Sequence, residues 1–163
     1  MDLSIMKLPK QGGTMEDYIF TGSYTYQIDP KGRMRLPASF RSMLGTHLRI
    51  GYGDGKYLVI YTDASVQELR EQRKAVDPYS QREQAKLFRD KFSSMKDFEC
   101  DGQGRYTIPS DFRNELDLKD EIVIAGNDQL VEIWSKYNFE HRDEDDIAYW
   151  RYDKKYLEDN PRQ

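Results

Sequence analysis

Lys31, Arg33 and Arg35 fall within five residues of one another, just after Asp29 and Pro30. On a strand, residues two apart point to the same face, so Arg33 and Arg35 project together. A guanidinium can pair bidentately with phosphate or with the guanine edge, and lysine supplies a point charge for phosphate. A turn feeding such a strand therefore suits contact with nucleic acid. A lone basic triplet carries little specificity, because charge runs are usually solvated faces. Other chemistry is hard to find. No G-x-S-x-G, P-loop or H-E-x-x-H pattern is present. Cys100 sits beside Asp101, in acidic surroundings that disfavour a thiolate. His47 and His141 read as surface or packing residues. One cysteine and two histidines do not make an internal zinc site. The expectation is a protein that is not an enzyme and uses no metal or cofactor.

The basic triplet gains weight from its setting, because the segment holding it occurs twice. Asp29-Pro30-Lys31-Gly32-Arg33-Met34-Arg35-Leu36-Pro37-Ala38-Ser39-Phe40-Arg41 aligns with Asp101-Gly102-Gln103-Gly104-Arg105-Tyr106-Thr107-Ile108-Pro109-Ser110-Asp111-Phe112-Arg113. The offset is 72 residues and six positions are identical. The shared pattern is D-x-x-G-R-x-x-[LI]-P-x-x-F-R. Leu44 with Leu116 and Ile50 with Ile122 extend the match, so a small unit has been duplicated. The period is too long for a common solenoid repeat, so each copy is a folded unit.

Each copy reads alike. Alternation of Tyr24, Tyr26 and Ile28 predicts a strand within 20–28. Asp29, Pro30 and Gly32 suit a type I turn, and 34–36 leaves it as a second strand. Pro37 opens a short helix and Gly45 closes it. In the second copy Ser110 is expected to cap the helix. Arg41 and Arg113 are expected at a helix C-terminus or on a carboxylate. Pro37, Pro109, Phe40 and Phe112 read as structural. Two strands follow, 47–52 and 57–61, joined by Gly53-Asp54-Gly55; their counterparts are 121–125 and 130–134. Between the copies, helices are predicted over 63–76 and 80–94, the second with Ser80-x-x-Glu83 as a capping box. Ala85, Leu87, Phe88, Phe92 and Met95 recur at helical spacing and are expected in the core. A further helix starts near Ser135. The division expected is a flexible leader over 1–17, a first repeat over 18–62 and connecting helices over 63–95. A second repeat over 96–135 follows, then a C-terminal helix and acidic tail over 136–163. Met15 is a candidate for the original start, which would leave residues 1–14 as an extension.

Composition at first points away from nucleic acid. The 163 residues carry 25 Lys and Arg against 29 Asp and Glu, a net charge of −4. The charge is unevenly spread. Residues 1–76 hold 11 basic and 8 acidic side chains, while 77–163 hold 14 and 21. The densest acid lies at Glu140-His141-Arg142-Asp143-Glu144-Asp145-Asp146, a solvated face, a linker, or a tail that repels phosphate. No apolar run nears the roughly 20 residues of a membrane helix, and no signal-peptide pattern opens the chain. A cytoplasmic, nucleoid-associated protein without a membrane partner is expected.

Two readings of the repeated D-x-x-G-R stay open. Asp can cap the turn, Gly can permit it, and Arg can pair with the Asp, all for structure. Alternatively the loops bind DNA, weighted to the first copy because Gln103 replaces Lys31. A unit of roughly 45 residues cannot bury much alone, so two copies interleaved around one β core are expected. Edges left by such a core invite ring or dimer assembly.

At these residues the chain resembles the MraZ family, within the AbrB-like swapped-hairpin superfamily. The matching pieces are Phe20-x-Gly22, the two D-x-x-G-R segments with their Pro37-x-x-Phe40-Arg41 and Pro109-x-x-Phe112-Arg113 extensions, Gly126, and Glu132-Ile133-Trp134. The likeness covers about residues 18–140. It implies an α+β fold of two AbrB-like β-rich repeats forming a pseudo-two-fold β core, with connecting and C-terminal helices, in a ring-forming homo-oligomer. It implies a transcriptional regulator that binds double-stranded promoter DNA at repeated G-rich boxes upstream of the division and cell-wall gene cluster. The DNA-binding candidates are Lys31, Arg33, Arg35 and Arg105, with Arg35 added from strand geometry rather than from the family. Asp29, Gly32, Asp101 and Gly104 would shape the loops. Two departures are Thr21, where a basic residue is common, and Asp117, where glycine is common. The rival class is an antitoxin-like interaction module whose acidic C-terminal segment engages a partner.

Overall fold

Apolar side chains alternate along the strands of both repeats, so each strand has one face to bury and neither repeat has enough strands to bury it. A computed structural model describes residues 19–142. The leader over 1–17 and the tail beyond residue 142 lie outside the described residues. The first repeat supplies β1 (Ser23–Ile28), β2 (Arg33–Met34), α1 (Ala38–Leu44), β3 (Leu48–Tyr52) and β4 (Leu58–Tyr61). The helices α2 (Asp63–Lys74) and α3 (Arg82–Ser94) follow. The second repeat supplies β5 (Lys96–Phe98), β6 (Tyr106–Thr107), α4 (Ser110–Leu116), β7 (Asp120–Asn127) and β8 (Leu130–Ser135), before α5 (Lys136–Glu140).

The repeats are interleaved. Six strands form one antiparallel sheet in the order β1-β7-β8-β4-β3-β5, and β2 pairs with β6 in a separate two-stranded ribbon. Exchanging each strand for its repeat counterpart reverses this order without changing it, which is the signature of a pseudo-two-fold axis between β4 and β8. The expected α+β fold with one shared, pseudo-two-fold β core is the fold observed.

One face of the sheet carries Leu48, Ile50, Leu58, Ile60, Ile122, Ile124, Val131 and Ile133, all essentially inaccessible to water. They pack with Phe40 and Leu44 of α1, Phe112 and Leu116 of α4, and Met34 and Tyr106 of the ribbon in one cluster. Burial of a single such side chain contributes about 1.5–3 kcal/mol. The two phenylalanine anchors are equivalent in the duplication but differ in their neighbours. Tyr24 meets Phe40 edge-on, whereas Lys96, the residue at the same repeat position, lies over the Phe112 ring 4.7 Å from its centroid. The opposite sheet face holds a smaller cluster of Val123, Ala125 and Trp134 under Tyr57 and Phe139.

Several local expectations change. Helix α4 begins at Ser110 with Pro109 at the N-cap, so Ser110 is the first helical residue and makes no capping bond. Helix α3 begins at Arg82, and Ser80 does not cap it. Asp77 takes Ser80 instead: its carboxylate accepts from the Tyr79 backbone N and the Ser80 hydroxyl, closing a turn before the helix can start. The strong cap lies on α2, where Thr62 and Ser65 satisfy each other's backbone N–H. The apolar stripe of α3 does not enter the core, since no residue of that helix is fully buried and Leu87 is 63% exposed. The helix meets the sheet mainly at its end, where Met95 lies against Gly51. No described helix is long and apolar enough to cross a membrane.

The two short helices end differently. Gly45 closes α1 at φ 78°, whereas Asp117 closes α4 in left-handed backbone at φ 55°. A side chain there costs energy that glycine avoids. Asp117→Gly is therefore expected to stabilise the protein by about 0.5–1 kcal/mol. Urea unfolding should show a higher midpoint with an unchanged slope.

Candidate nucleic-acid interface

The first loop is a hairpin turn built around one carboxylate. The Gly32 N–H donates to the Asp29 carbonyl at 2.9 Å, and the Asp29 N–H to the Arg33 carbonyl at 3.1 Å. Gly32 has φ 83°, the left-handed residue that such a three-residue connection requires. Asp29 Oδ1 accepts from the backbone N–H of Lys31 and of Arg33, each at 2.9 Å. Its Oδ2 accepts from Arg33 Nε at 2.5 Å. The second loop repeats this set: Asp101 accepts from Gln103 N, Arg105 N and Arg105 Nε, all at 2.9 Å. In each loop the guanidinium donates to the carboxylate through Nε.

The ribbon brings the two loops together. Arg33 lies opposite Thr107 and Met34 opposite Tyr106. Extending that register places Arg35 opposite Arg105. Opposed residues in an antiparallel pair share a face. Arg33, Arg35, Arg105 and Thr107 therefore occupy one face, while Met34 and Tyr106, each 2% exposed, turn into the core. Lys31 is exposed at the loop tip. Thr107 could have been found by carrying the Arg35 position forward by one repeat, but only the pairing makes it a neighbour of Arg33.

Arg41 and Arg113 lie in the last turns of α1 and α4, as expected, but their guanidinium groups reach across to the other copy's loop. Arg113 Nε donates to the Ile108 carbonyl at 2.9 Å and its Nη1 to the Pro30 carbonyl at 3.3 Å. The second repeat's arginine thus clasps the first repeat's loop. Reciprocally, Arg41 Nη1 lies 3.0 Å and Arg35 Nη1 3.2 Å from where a Cβ on Gly104 would stand. Arg35 also donates to the Gln103 carbonyl at 2.6 Å. Ile108 N–H bonds the Gly32 carbonyl at 2.8 Å and ties the two loops through backbone. Nothing in the linear sequence signals this crossing, because each arginine acts on the opposite copy.

Electrostatics follow the first loop. Residues 29–41 carry four basic side chains and one acidic, against two and two over 101–113. The carboxyl of Asp29 is held below its ordinary range, chiefly by the Arg33 backbone N–H and then by the Arg33 guanidinium, against an opposing effect of desolvation. Asp101 is lowered likewise, first by the Arg105 backbone N–H. Among the described residues no cluster of three or more metal-ligating side chains occurs.

A duplicated swapped-hairpin body, with both Asp–Arg loops set side by side on a two-stranded ribbon, defines the class of fold. The family model described as "MraZ protein, putative antitoxin-like" matches residues 19–89 and 92–149. The "Transcriptional regulator MraZ" of Alkaliphilus oremlandii (strain OhILAs) is 34% identical over 128 residues, covering 78% of this chain and 89% of that protein. The chain belongs to the MraZ family. The family match runs past residue 140 to residue 149, so it includes part of the acidic stretch.

Two outcomes test this architecture. A Cβ at Gly32 would stand 2.5 Å from Arg113 Nε, on backbone already left-handed, whereas a Cβ at Gly102 meets nothing within 4 Å. Gly32→Ala should cost about 1–2 kcal/mol in urea unfolding, and Gly102→Ala less than about 0.5. The lowered carboxyls give a pH dependence with a definite sign. Loop order supported by Asp29 and Asp101 is fully present above the unfolded carboxylate range near pH 4 and is lost as pH falls through the depressed folded values. The Arg33 and Arg105 amide resonances should therefore hold position at pH 5 and move only below about pH 4.

Proposed function

We propose that this protein binds double-stranded promoter DNA with the ribbon face that carries Arg33, Arg35 and Arg105, and so regulates transcription. One observation carries this reading: pairing of β2 with β6 sets the arginines of both repeats on one outward face whose reverse side is core. The major groove admits a two-stranded β-ribbon, and an arginine there can read guanine through O6 and N7. Arg33 is the leading base-reading residue, held along its Nε edge by Asp29. Lys31 contacts phosphate, and Arg105 makes the weaker contact of the second loop. Asp29, Gly32, Asp101 and Gly104 shape the loops. The DNA sites are repeated G-rich boxes upstream of the division and cell-wall gene cluster, as the family resemblance implies, and the protein acts at the nucleoid. Repeat units over 18–62 and 96–135, with 63–95 as the connector, provide the paired loops.

A single ribbon makes a weak contact. Assembly of several copies into a ring would set successive ribbons against successive boxes and raise affinity through effective concentration.

Binding to DNA from just upstream of the protein's own gene tests the reading. Arg33→Ala should weaken specific binding by about 1–3 kcal/mol, roughly 5- to 150-fold, with circular dichroism and assembly size unchanged. Lys31→Ala should weaken binding to all sequences alike and lower the salt slope by about one. Normal binding by Arg33→Ala, or a salt slope near zero for the wild type, overturns the interface.

A further inference from the structure

The outward face of the ribbon has four corners. Arg33 lies opposite Thr107, and the extended register sets Arg35 opposite Arg105. The Ile108 N–H bonds the Gly32 carbonyl at 2.8 Å, so Gly32 and Ile108 form a hydrogen-bonded pair of the ladder. In an antiparallel ladder such pairs alternate with non-hydrogen-bonded ones, whose Cα atoms stand about 4.5 Å apart and whose side chains lie closest. Arg33 and Thr107 are therefore a non-hydrogen-bonded pair. Arg105 is two residues back along the strand from Thr107 and points to the same face. Thr107 is exposed and stands between two arginines, not out at a loop tip as Lys31 does.

Three corners are arginine and the fourth is not. The duplication matches Arg33 with Arg105, and Arg35 with Thr107. The backbone does not demand a short residue at this position, because the first copy places a long cation there. The exchange changes what the corner can do. Arg35 reaches across the ribbon to the Gln103 carbonyl at 2.6 Å. Thr107 is too short for the reciprocal reach, and its hydroxyl has no hydrogen-bond partner among the described residues. With the ribbon in a major groove, the three arginines meet acceptors, above all guanine O6 and N7. The neutral Thr107 brings no charge to a phosphate. It brings a methyl group, and the apolar group that a major groove presents is the C5-methyl of thymine. The spacing agrees. Bases of one strand rise about 3.4 Å per step. A Cα separation of about 4.5 Å thus sets Thr107 over a base pair one or two steps from the one that Arg33 meets.

We propose that Thr107 is a specificity-determining residue of the ribbon face, its methyl packing on the C5-methyl of a thymine one or two base pairs from the guanine that Arg33 reads. This role rests on the ribbon being the DNA-binding face. It makes the two copies unequal in kind as well as in charge. The first copy reads through cations alone, and the second adds an apolar contact that selects thymine over cytosine at one position.

Replacing thymine by deoxyuridine removes that methyl and leaves the base pairing unchanged. The duplex from just upstream of the protein's own gene, made once with thymine and once with uracil, is titrated with three full-length proteins. The wild type should bind the uracil duplex at least about threefold more weakly, the value of burying one methyl group. Thr107→Ser keeps the hydroxyl and loses the methyl, and its thymine-to-uracil ratio should fall to about one. Thr107→Val keeps a methyl and loses the hydroxyl, and should hold the wild-type ratio. A structural role for Thr107 would shift binding to both duplexes together and leave the ratio unmoved. Specific binding by the wild type that ignores uracil overturns the assignment of Thr107 alone, as does an undiminished ratio in Thr107→Ser or a lost one in Thr107→Val. Absence of specific binding by the wild type to either duplex overturns the DNA-binding face, and this role with it.

Discussion

Among the described residues, β1 pairs with no strand of its own repeat. It pairs with β7 of the other copy, as β5 pairs with β3, β4 with β8 across the centre, and β2 with β6 in the ribbon. Within a repeat, strand ladders form between β3 and β4 and between β7 and β8, and the Asp–Arg turns add single bonds. Backbone N–H and C=O groups of a buried sheet must be paired, so neither copy can satisfy its own strands alone. The shared core, the placement of α1 and α4, and the meeting of the two loops all follow from that exchange. A two-stranded hairpin is marginal by itself, whereas six strands with two helices on one face enclose one buried apolar cluster.

The same exchange makes the loop pair a single object. Each loop keeps its shape through its own aspartate, but its position is set by the other copy, through Arg113 on Pro30 and Arg35 on Gln103. Charge is therefore local in its effect. A chain of net charge −4 presents a basic face because the ribbon gathers Arg33, Arg35 and Arg105, while its excess acid is collected after residue 76. Salt screens exposed charges beyond about 8–10 Å, so a ligand at the ribbon feels that face more than the sum. The structural and the functional readings of D-x-x-G-R are compatible for a geometric reason. Asp29 occupies Nε of Arg33, and bidentate recognition of phosphate or guanine can still use the Nη pair.

Much of the fold was legible along the chain. Turns with Asp and Gly, Pro before a short helix and Gly after it, and alternation in Tyr24 to Ile28 are local signals, and the corresponding elements are present within a few residues. Local signals failed where two groups competed for one partner. Ser80 resembled a cap, but Asp77 three positions earlier takes its hydroxyl. Ser110 resembled another, but Pro109 holds the cap position. The stripe on α3 has helical period and yet stays half-exposed, because period describes which face is apolar and says nothing of what covers it.

The sequence by itself determined that a small unit is duplicated, that each copy turns on Asp and Gly before a strand, and that basic residues favour the first turn. These are properties of residue type and spacing within a dozen positions. Only the tertiary structure decided that the copies exchange strands, that Arg35 faces Arg105, and that Arg113 holds a loop 83 residues away. Such contacts join residues distant in the chain, and their partners are chosen by which sheet edge stays unpaired and which apolar face stays uncovered. No spacing rule carries that information, because it arises only when both copies must be buried at once.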